Sequence, residues 1–344
     1  MITLKRLAAL MAAVLLAVAF AACGGDDSDS STGGANSGPA AAETGSFPVT
    51  VEHKYGSTTI DAAPERVVAL GYTDQDPVLA VGVVPVGVGD FLGGYDWRKR
   101  PWAQDALKGA VPKVVGGQEI NFEAVAAARP NLIFAINAGL KKADYERLSK
   151  IAPTVAQSGD YIDFGMPWDE QQALVGKALG RDAQAKKAID DVKAKFAKVA
   201  EENPTFKGAS AILGYGGPDG YGAYATQDTR SRFLTDLGFE VPKEIDALAK
   251  DAFYAQFSQE QFRLLDQDLV LMYGDEDEIT KNAVVGRLDA VKEGRIVYLP
   301  VAGEFAAALG FASTLSLTWI LDNQVETLAA AADGDPATKV TQPE

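Results

Sequence analysis

The chain has one cysteine and one histidine in 344 residues, and that scarcity removes several chemistries at once. A Ser-His-Asp or Cys-His centre needs an imidazole beside its nucleophile, and zinc or bare transition-metal sites draw on clustered His and Cys. His53, near the start of the body, stands alone and reads as a solvated strand residue. With no second cysteine there is no internal disulfide, so the cores must be held by packing. Basic residues are also in deficit, 32 against 47 acidic, for a net charge of −15, which argues against nucleic acid as a partner. Long apolar runs are confined to Leu7–Ala22, 16 residues, short for a membrane span but suited to the h-region of an export signal.

What surrounds that run gives it meaning. Lys5 and Arg6 supply a charged start, and Phe20-Ala21-Ala22-Cys23 resembles the lipobox at which lipoprotein signal peptides are cut. Residues 1–22 are then a signal peptide and Cys23 is the acylated N-terminus, carrying a palmitate-type anchor at the outer face of the cell membrane; ordinary secretion with a cut after Ala22 is the alternative. Residues 24–46 contain only Gly, Asp, Ser, Thr, Ala, Asn, Pro and Glu. Such a segment buries too little apolar surface to offset its ordering entropy, so 23–47 reads as a flexible tether. Removing Lys5 and Arg6 with the signal leaves 30 basic against 47 acidic residues, a mature net charge of −17. The roughly 290 residues that follow suffice for two lobes with cores of their own.

The body contains an apparent duplication. INFEAVAAARPNLIFA (120–135) and FSQEQFRLLDQDLVLM (257–272) match at a constant offset of 137. In each, a capping residue (Asn121, Ser258) opens a short helix with a glutamate two places on (Glu123, Glu260), and an apolar strand follows. Glu65–Gly71 and Ala209–Tyr215 form a second pair, each a strand running into a loop, then a helix closed by glycine (Gly82, Gly238) and a return strand near Pro85 or Pro242. Strands alternating with helices imply parallel sheets covered on both faces. The expected architecture is therefore α/β, two Rossmann-like lobes (48–165 and 205–330) with parallel sheets. Between them lies a helical linker, 166–204, in which Ala185, Ile189, Val192, Phe196 and Val199 recur at helical spacing. A helix over about 183–202 would be about 30 Å long, enough to run beside both lobes and leave a cleft with little hinge motion. Residues 331–344 read as a fraying tail.

Several stretches then carry a resemblance: Pro64-Glu65-Arg66-Val67-Val68, Arg129-Pro130-Asn131-Leu132-Ile133, the linker helix, Gly294-Arg295-Ile296-Val297-Tyr298 and the helix over 313–321. In this order and spacing the chain resembles the substrate-binding lipoproteins of iron-siderophore ABC importers, the helical-backbone class that also binds haem and cobalamin. The resemblance implies a monomer, not an enzyme, that captures a ferric chelate and passes it to a permease dimer. It also implies that Glu123 and Glu260, one per lobe, dock onto permease arginines; taken alone, each is also a favourable first-turn glutamate.

In open α/β sheets the crevice lies beyond the carboxyl ends of the strands. That rule selects Tyr72, Asp74, Gln75, Trp97, Arg98, Trp102, Asn137 and Tyr161 from the first lobe. From the second it selects Tyr215, Tyr221, Tyr224, Arg230, Arg232, Tyr273 and Phe305. Tyr221–Tyr224, set among glycines, reads as a mobile loop. Arginine forks suit carboxylate, catecholate or hydroxamate oxygens, and aromatic rings pack a chelate's faces, so the protein need not touch the iron. No cofactor or protein-bound metal is expected, and Asp275–Glu278 reads as a solvated turn. Alternatives are haem, with Tyr215, Tyr221 or Tyr273 as axial ligand, or cobalamin; a hydrolase using Asp74 and Asp90; and a tethered scaffold with a filled cleft.

Overall fold

Short runs of buried aliphatic residues build two sheets. The computed structural model of the chain describes residues 45–90, 99–117 and 119–343, all within one compact unit, Ala42–Glu344. An antiparallel hairpin comes first, β1 (Val49–His53) and β2 (Gly56–Ile60). The first sheet follows through β3 (Val67–Ala69), α1 (Gln75–Ala80), β4 (Gly87–Gly89), α2 (Gln104–Leu107), β5 (Lys113–Gly116), α3 (Phe122–Ala127), β6 (Leu132–Ala135), α4 (Lys142–Leu148) and β7 (Thr154–Ala156). Its order is β5-β4-β3-β6-β7 and every pairing is parallel. Leu132, Ile133, Phe134 and Ala135 are all buried, as a strand covered on both faces requires.

The linker is helical. α5 (Trp168–Leu179) ends at Gly180, whose φ of 62° and closeness to the Phe47 ring leave no room for a side chain. α6 (Asp182–Glu202) then runs 21 residues, about 30 Å. Its buried stripe is Ala185, Val192, Phe196 and Val199. Lys186–Asp190 and Lys187–Asp191 ion pairs at 2.5 and 2.6 Å dress the exposed face; such pairs contribute only about 0.3–0.5 kcal/mol each, so the apolar stripe decides the packing. Ala185 joins the first-lobe core with Val67, Leu132 and Val175, while Val192, Phe196 and Val199 join the second-lobe core with Leu213, Phe233 and Leu271. One helix therefore spans both lobes.

The second sheet comes from β8 (Ala211–Gly217), β9 (Gly220–Tyr224), α7 (Thr229–Asp236), α8 (Lys243–Ala249), β10 (Tyr254–Gln256), a 3-10 helix over Gln259–Leu265, β11 (Leu269–Tyr273), α9 (Glu276–Thr280), α10 (Asp289–Lys292) and β12 (Ile296–Leu299). α11 (Glu304–Gly310), α12 (Thr314–Asn323) and α13 (Val325–Ala331) close the body. The duplicated segments occupy equivalent places. α3 and the 3-10 helix begin 137 residues apart, as do β6 and β11, and the order β3-β6-β7 is repeated as β8-β11-β12. The caps differ in mechanism: Asn121 Oδ1 accepts from Ala124 N–H at 3.0 Å, whereas Gln261 Oε1 accepts from Ser258 N–H at 2.9 Å.

Five expectations need correction. The second sheet, β10-β9-β8-β11-β12, is mixed: β9 runs antiparallel to both of its neighbours, β8 and β10. The glycine-rich stretch expected as a mobile loop is the β8–β9 hairpin, turning through Pro218 and Asp219 with Gly217 opposite Gly220, and the return strand near Pro242 shrinks to a single bridge between Ser210 and Glu240. His53 is in a strand but buried, 2.9 Å from Thr58 Oγ1 and packed on Tyr145; burial holds its pKa below the ordinary value. The tail does not fray. Val340 packs on the second-lobe core, and Gln342 accepts from Tyr298 N–H at 2.8 Å and donates to the Ile296 carbonyl at 2.9 Å, covering the edge strand β12. Asp275–Asp277 are exposed as expected and Glu278 is half-buried, although Glu276 starts a short helix. No helix among the described residues is long and apolar enough to cross a membrane.

Candidate functional site

The carboxyl ends of β8 and β11, with α7 and α11, enclose a cavity of about 480 Å³. Arg230, in the first turn of α7, is its cationic centre. Asp228 caps that helix by accepting from Arg230 N–H at 2.9 Å, and the same carboxylate takes Nε and Nη2 of the side chain at 2.7 Å each. The guanidinium lies 3.7 Å from the Tyr224 ring centre and 5.8 Å from those of Phe253 and Phe311, within cation-π reach. Desolvation opposes its charge, but the hydrogen bonds and field of Asp228 outweigh that, so its pKa lies above the ordinary value.

Tyrosines complete this wall. Tyr224 meets Tyr273 edge-on at 6.1 Å and Tyr215 at 5.8 Å, and Tyr215 meets Tyr254 edge-on at 5.9 Å. The Tyr215 hydroxyl lies where a side chain at position 222 would begin, so Gly222 makes room for it. Burial pushes the Tyr215 phenol up to about 12 and the Tyr273 phenol up as well; Tyr273 donates to the Ala306 carbonyl at 3.0 Å. These hydroxyls stay protonated at neutral pH and act as hydrogen-bonding groups, not anions.

On the first-lobe side, Tyr72 packs with Phe164 (6.1 Å) and Phe311 (5.3 Å), and Phe164 with Phe311 (5.5 Å). Tyr72 also lines a cavity of about 450 Å³ with Glu119, Lys141, Asp144 and Arg147. Phe311 touches both the Tyr72 group and Arg230, so it joins the two halves. Beneath them runs a buried polar strut between lobes. Asp76 accepts from Trp102 Nε1 (2.9 Å) and Ser313 Oγ (2.8 Å) and lies 3.5 Å from Arg100. Thr73 donates to the Phe311 carbonyl at 3.1 Å, and Thr314 to Gln172 Oε1 at 2.7 Å. The lobes are thus bolted together at the cleft floor.

Of the residues selected from sequence, this arrangement brings together Tyr72, Tyr215, Tyr224, Arg230 and Tyr273. Others are turned to bracing. Asp74 accepts from Gly71, Ile136 and Asn137 N–H at 2.8–2.9 Å, because two loops meet there with backbone donors that need an acceptor. Asn137 bonds Thr73 and Gln171, Gln75 is buried in the first turn of α1, and Trp102 belongs to the strut. Tyr221 alternates to the other face of β9, buried, with its hydroxyl on the Ile279 carbonyl at 2.7 Å. Phe305 is core. Tyr161 and Arg232 pair with each other at 5.9 Å. Arg232 lines a different cavity with Trp168, Lys193 and Asp236. Trp97, Arg98 and Cys23 lie outside the described residues. Glu123 and Glu260 are exposed at equivalent positions. Sequence reasoning missed Phe164, Phe253, Tyr254 and Phe311: the last three do not follow a strand as the crevice rule requires, and Phe164 was passed over in the same loop after β7 that supplied Tyr161; alternation along β10 opposite β9 was the one signal for Tyr254. Among the described residues no cluster of His, Cys, Asp or Glu is placed to hold a metal ion.

Comparison with known proteins agrees with this architecture. A periplasmic solute-binding protein from Mycobacterium smegmatis superposes with a TM-score of 0.73 at 35% identity, covering 83% of this chain and 98% of that one. PiaA of Streptococcus pneumoniae, solved in complex with ferrichrome, gives 0.72 at 27% identity over 83% and 99% of the two chains. The Fe(3+)-citrate-binding protein YfmC of Bacillus subtilis is 26% identical over 261 residues, 72% of this chain and 76% of the relative. The periplasmic binding protein family pattern matches residues 67–302, and the chain belongs to that family.

Proposed function

We propose that the protein is a lipid-anchored solute-binding protein of an ABC importer, which captures a ferric siderophore between its lobes and delivers it to the permease. The observation that carries this reading is Arg230: charged, desolvated and ringed by Tyr224, Phe253 and Phe311 at the wall of the cavity. A guanidinium in an aromatic box suits the oxygen-rich edge and broad faces of a chelate whose iron is already ligated. The name of YfmC and the ferrichrome complex of PiaA support that ligand class. Exposed Glu123 and Glu260, at matched positions in the two lobes, suit docking on a two-fold permease, and Cys23 supplies the anchor.

Other readings lose ground on particular contacts. Tyr221 and Tyr273 already donate to backbone carbonyls, which weakens them as haem ligands. Asp74 is saturated by backbone N–H groups and makes a poor hydrolase acid. The open cavity speaks against a scaffold with a filled cleft. The test is tryptophan-fluorescence titration of the purified protein with ferric siderophores, each against its iron-free form, with haemin and cobalamin alongside. Saturable one-to-one quenching by a ferric chelate is expected, weakened about tenfold or more by Arg230→Ala; quenching by none of them sinks the reading.

A further inference from the structure

Among the described residues, the charges facing the cleft cancel. In the second-lobe cavity the charged lining residues are Arg230 and Asp219, and Arg230 brings its own counter-ion, since the buried Asp228 occupies Nε and Nη2 at 2.7 Å. Both N–H groups of Nη1 and the second N–H of Nη2 are left for a ligand. In the first-lobe cavity Lys141 and Arg147 stand against Glu119 and Asp144, and Arg147 lies over the Phe122 ring at 3.5 Å. Among the described residues the two walls balance cation against carboxylate, and Asp228 behind them adds a further negative charge.

A ferric chelate's charge is set by its donors. Three hydroxamates each bring one negative charge and cancel Fe(III); three catecholates each bring two and leave a trianion. A trianion entering this cleft gives up hydration without meeting a surplus of positive charge among the described residues. A neutral chelate gives up far less, its carbonyl oxygens accept from Nη1 and from phenol hydroxyls, and its methylene faces pack on the tyrosine rings. The mature chain's net charge of −17 acts in the same direction at longer range, slowing the approach of an anion. Resting on the siderophore-capture reading, we infer that the cleft selects an electroneutral ferric tris-hydroxamate over a trianionic ferric tris-catecholate.

The test is parallel fluorescence titration of the purified protein with ferrichrome and with ferric enterobactin at one ionic strength, repeated on Asp228→Asn. Asparagine keeps the helix cap while removing the counter-ion. The expected result is affinity for the hydroxamate at least about tenfold higher, with the preference reduced about tenfold in Asp228→Asn as the charge of Arg230 is released. Equal or tighter binding of the catecholate overturns the inference and leaves siderophore capture standing. A wild-type preference that Asp228→Asn leaves unchanged overturns the role given to the Asp228 counter-charge. Saturable binding of neither chelate overturns the capture reading itself.

Discussion

Asp74 has no exposed surface, and its carboxylate gathers three backbone N–H groups from two loops. Burial dominates those hydrogen bonds and raises its pKa from 3.8 to about 6. Between about pH 4 and 6 the native state therefore holds a proton that the unfolded chain has released, so this group's stabilisation is complete below pH 4 and is lost as pH rises through 6, by about 3 kcal/mol at most. Asp74→Asn mimics the protonated form and removes that dependence. Urea unfolding from pH 4 to 7 should show wild-type stability falling relative to the variant as pH rises; a constant difference refutes the assignment. The same residue shows where sequence reading stops. The crevice rule gave the right address for Tyr72, Asp74, Asn137 and Arg230, but which of them points at a ligand depends on whether nearby backbone donors lack an acceptor, and that is decided only when the β3 and β6 loops come together.

α12 is the element that joins the lobes at its tip. Its cap, Ser313, accepts from Ser316 N–H at 3.1 Å and donates to Asp76 Oδ2 at 2.8 Å, serving the helix and the interlobe strut with one hydroxyl. Ser313→Ala removes both and should cost about 1–2 kcal/mol, read as a lowered urea midpoint with unchanged slope. If stability is unaffected, the strut does not hold the lobes. Elements with a strong local period were legible: α6 from its apolar stripe, and β6 with β11 from a repeat that survives in their matched places. The reversed strand β9 and its partner β10 were not, because glycine-rich strands carry little pattern and a hairpin and a loop share the same turn residues. The packing of Leu79, Trp102 and Leu107 into the core of the second lobe was equally hidden, since it depends on contacts distant in the chain.

At the scale of the molecule, the proposed capture, docking and anchoring roles rest on different residues and should separate by mutation. Glu123→Ala with Glu260→Ala should retain chelate affinity in fluorescence titration yet abolish stimulation of the importer's ATPase; unimpaired stimulation removes the docking role. Cys23→Ser should move the protein from the membrane to the soluble fraction. The two-lobe plan and its spanning helix were legible because they repeat or recur periodically, whereas the course of the tail was not, as a polar segment gives no sign of what it will pair with. Yet Gln342 takes up the Tyr298 N–H and the Ile296 carbonyl on β12, the outermost strand of the second sheet. An unpaired edge is a template for a strand from another molecule; by occupying it with its own side chain, the protein blunts sheet-to-sheet aggregation where copies are crowded together.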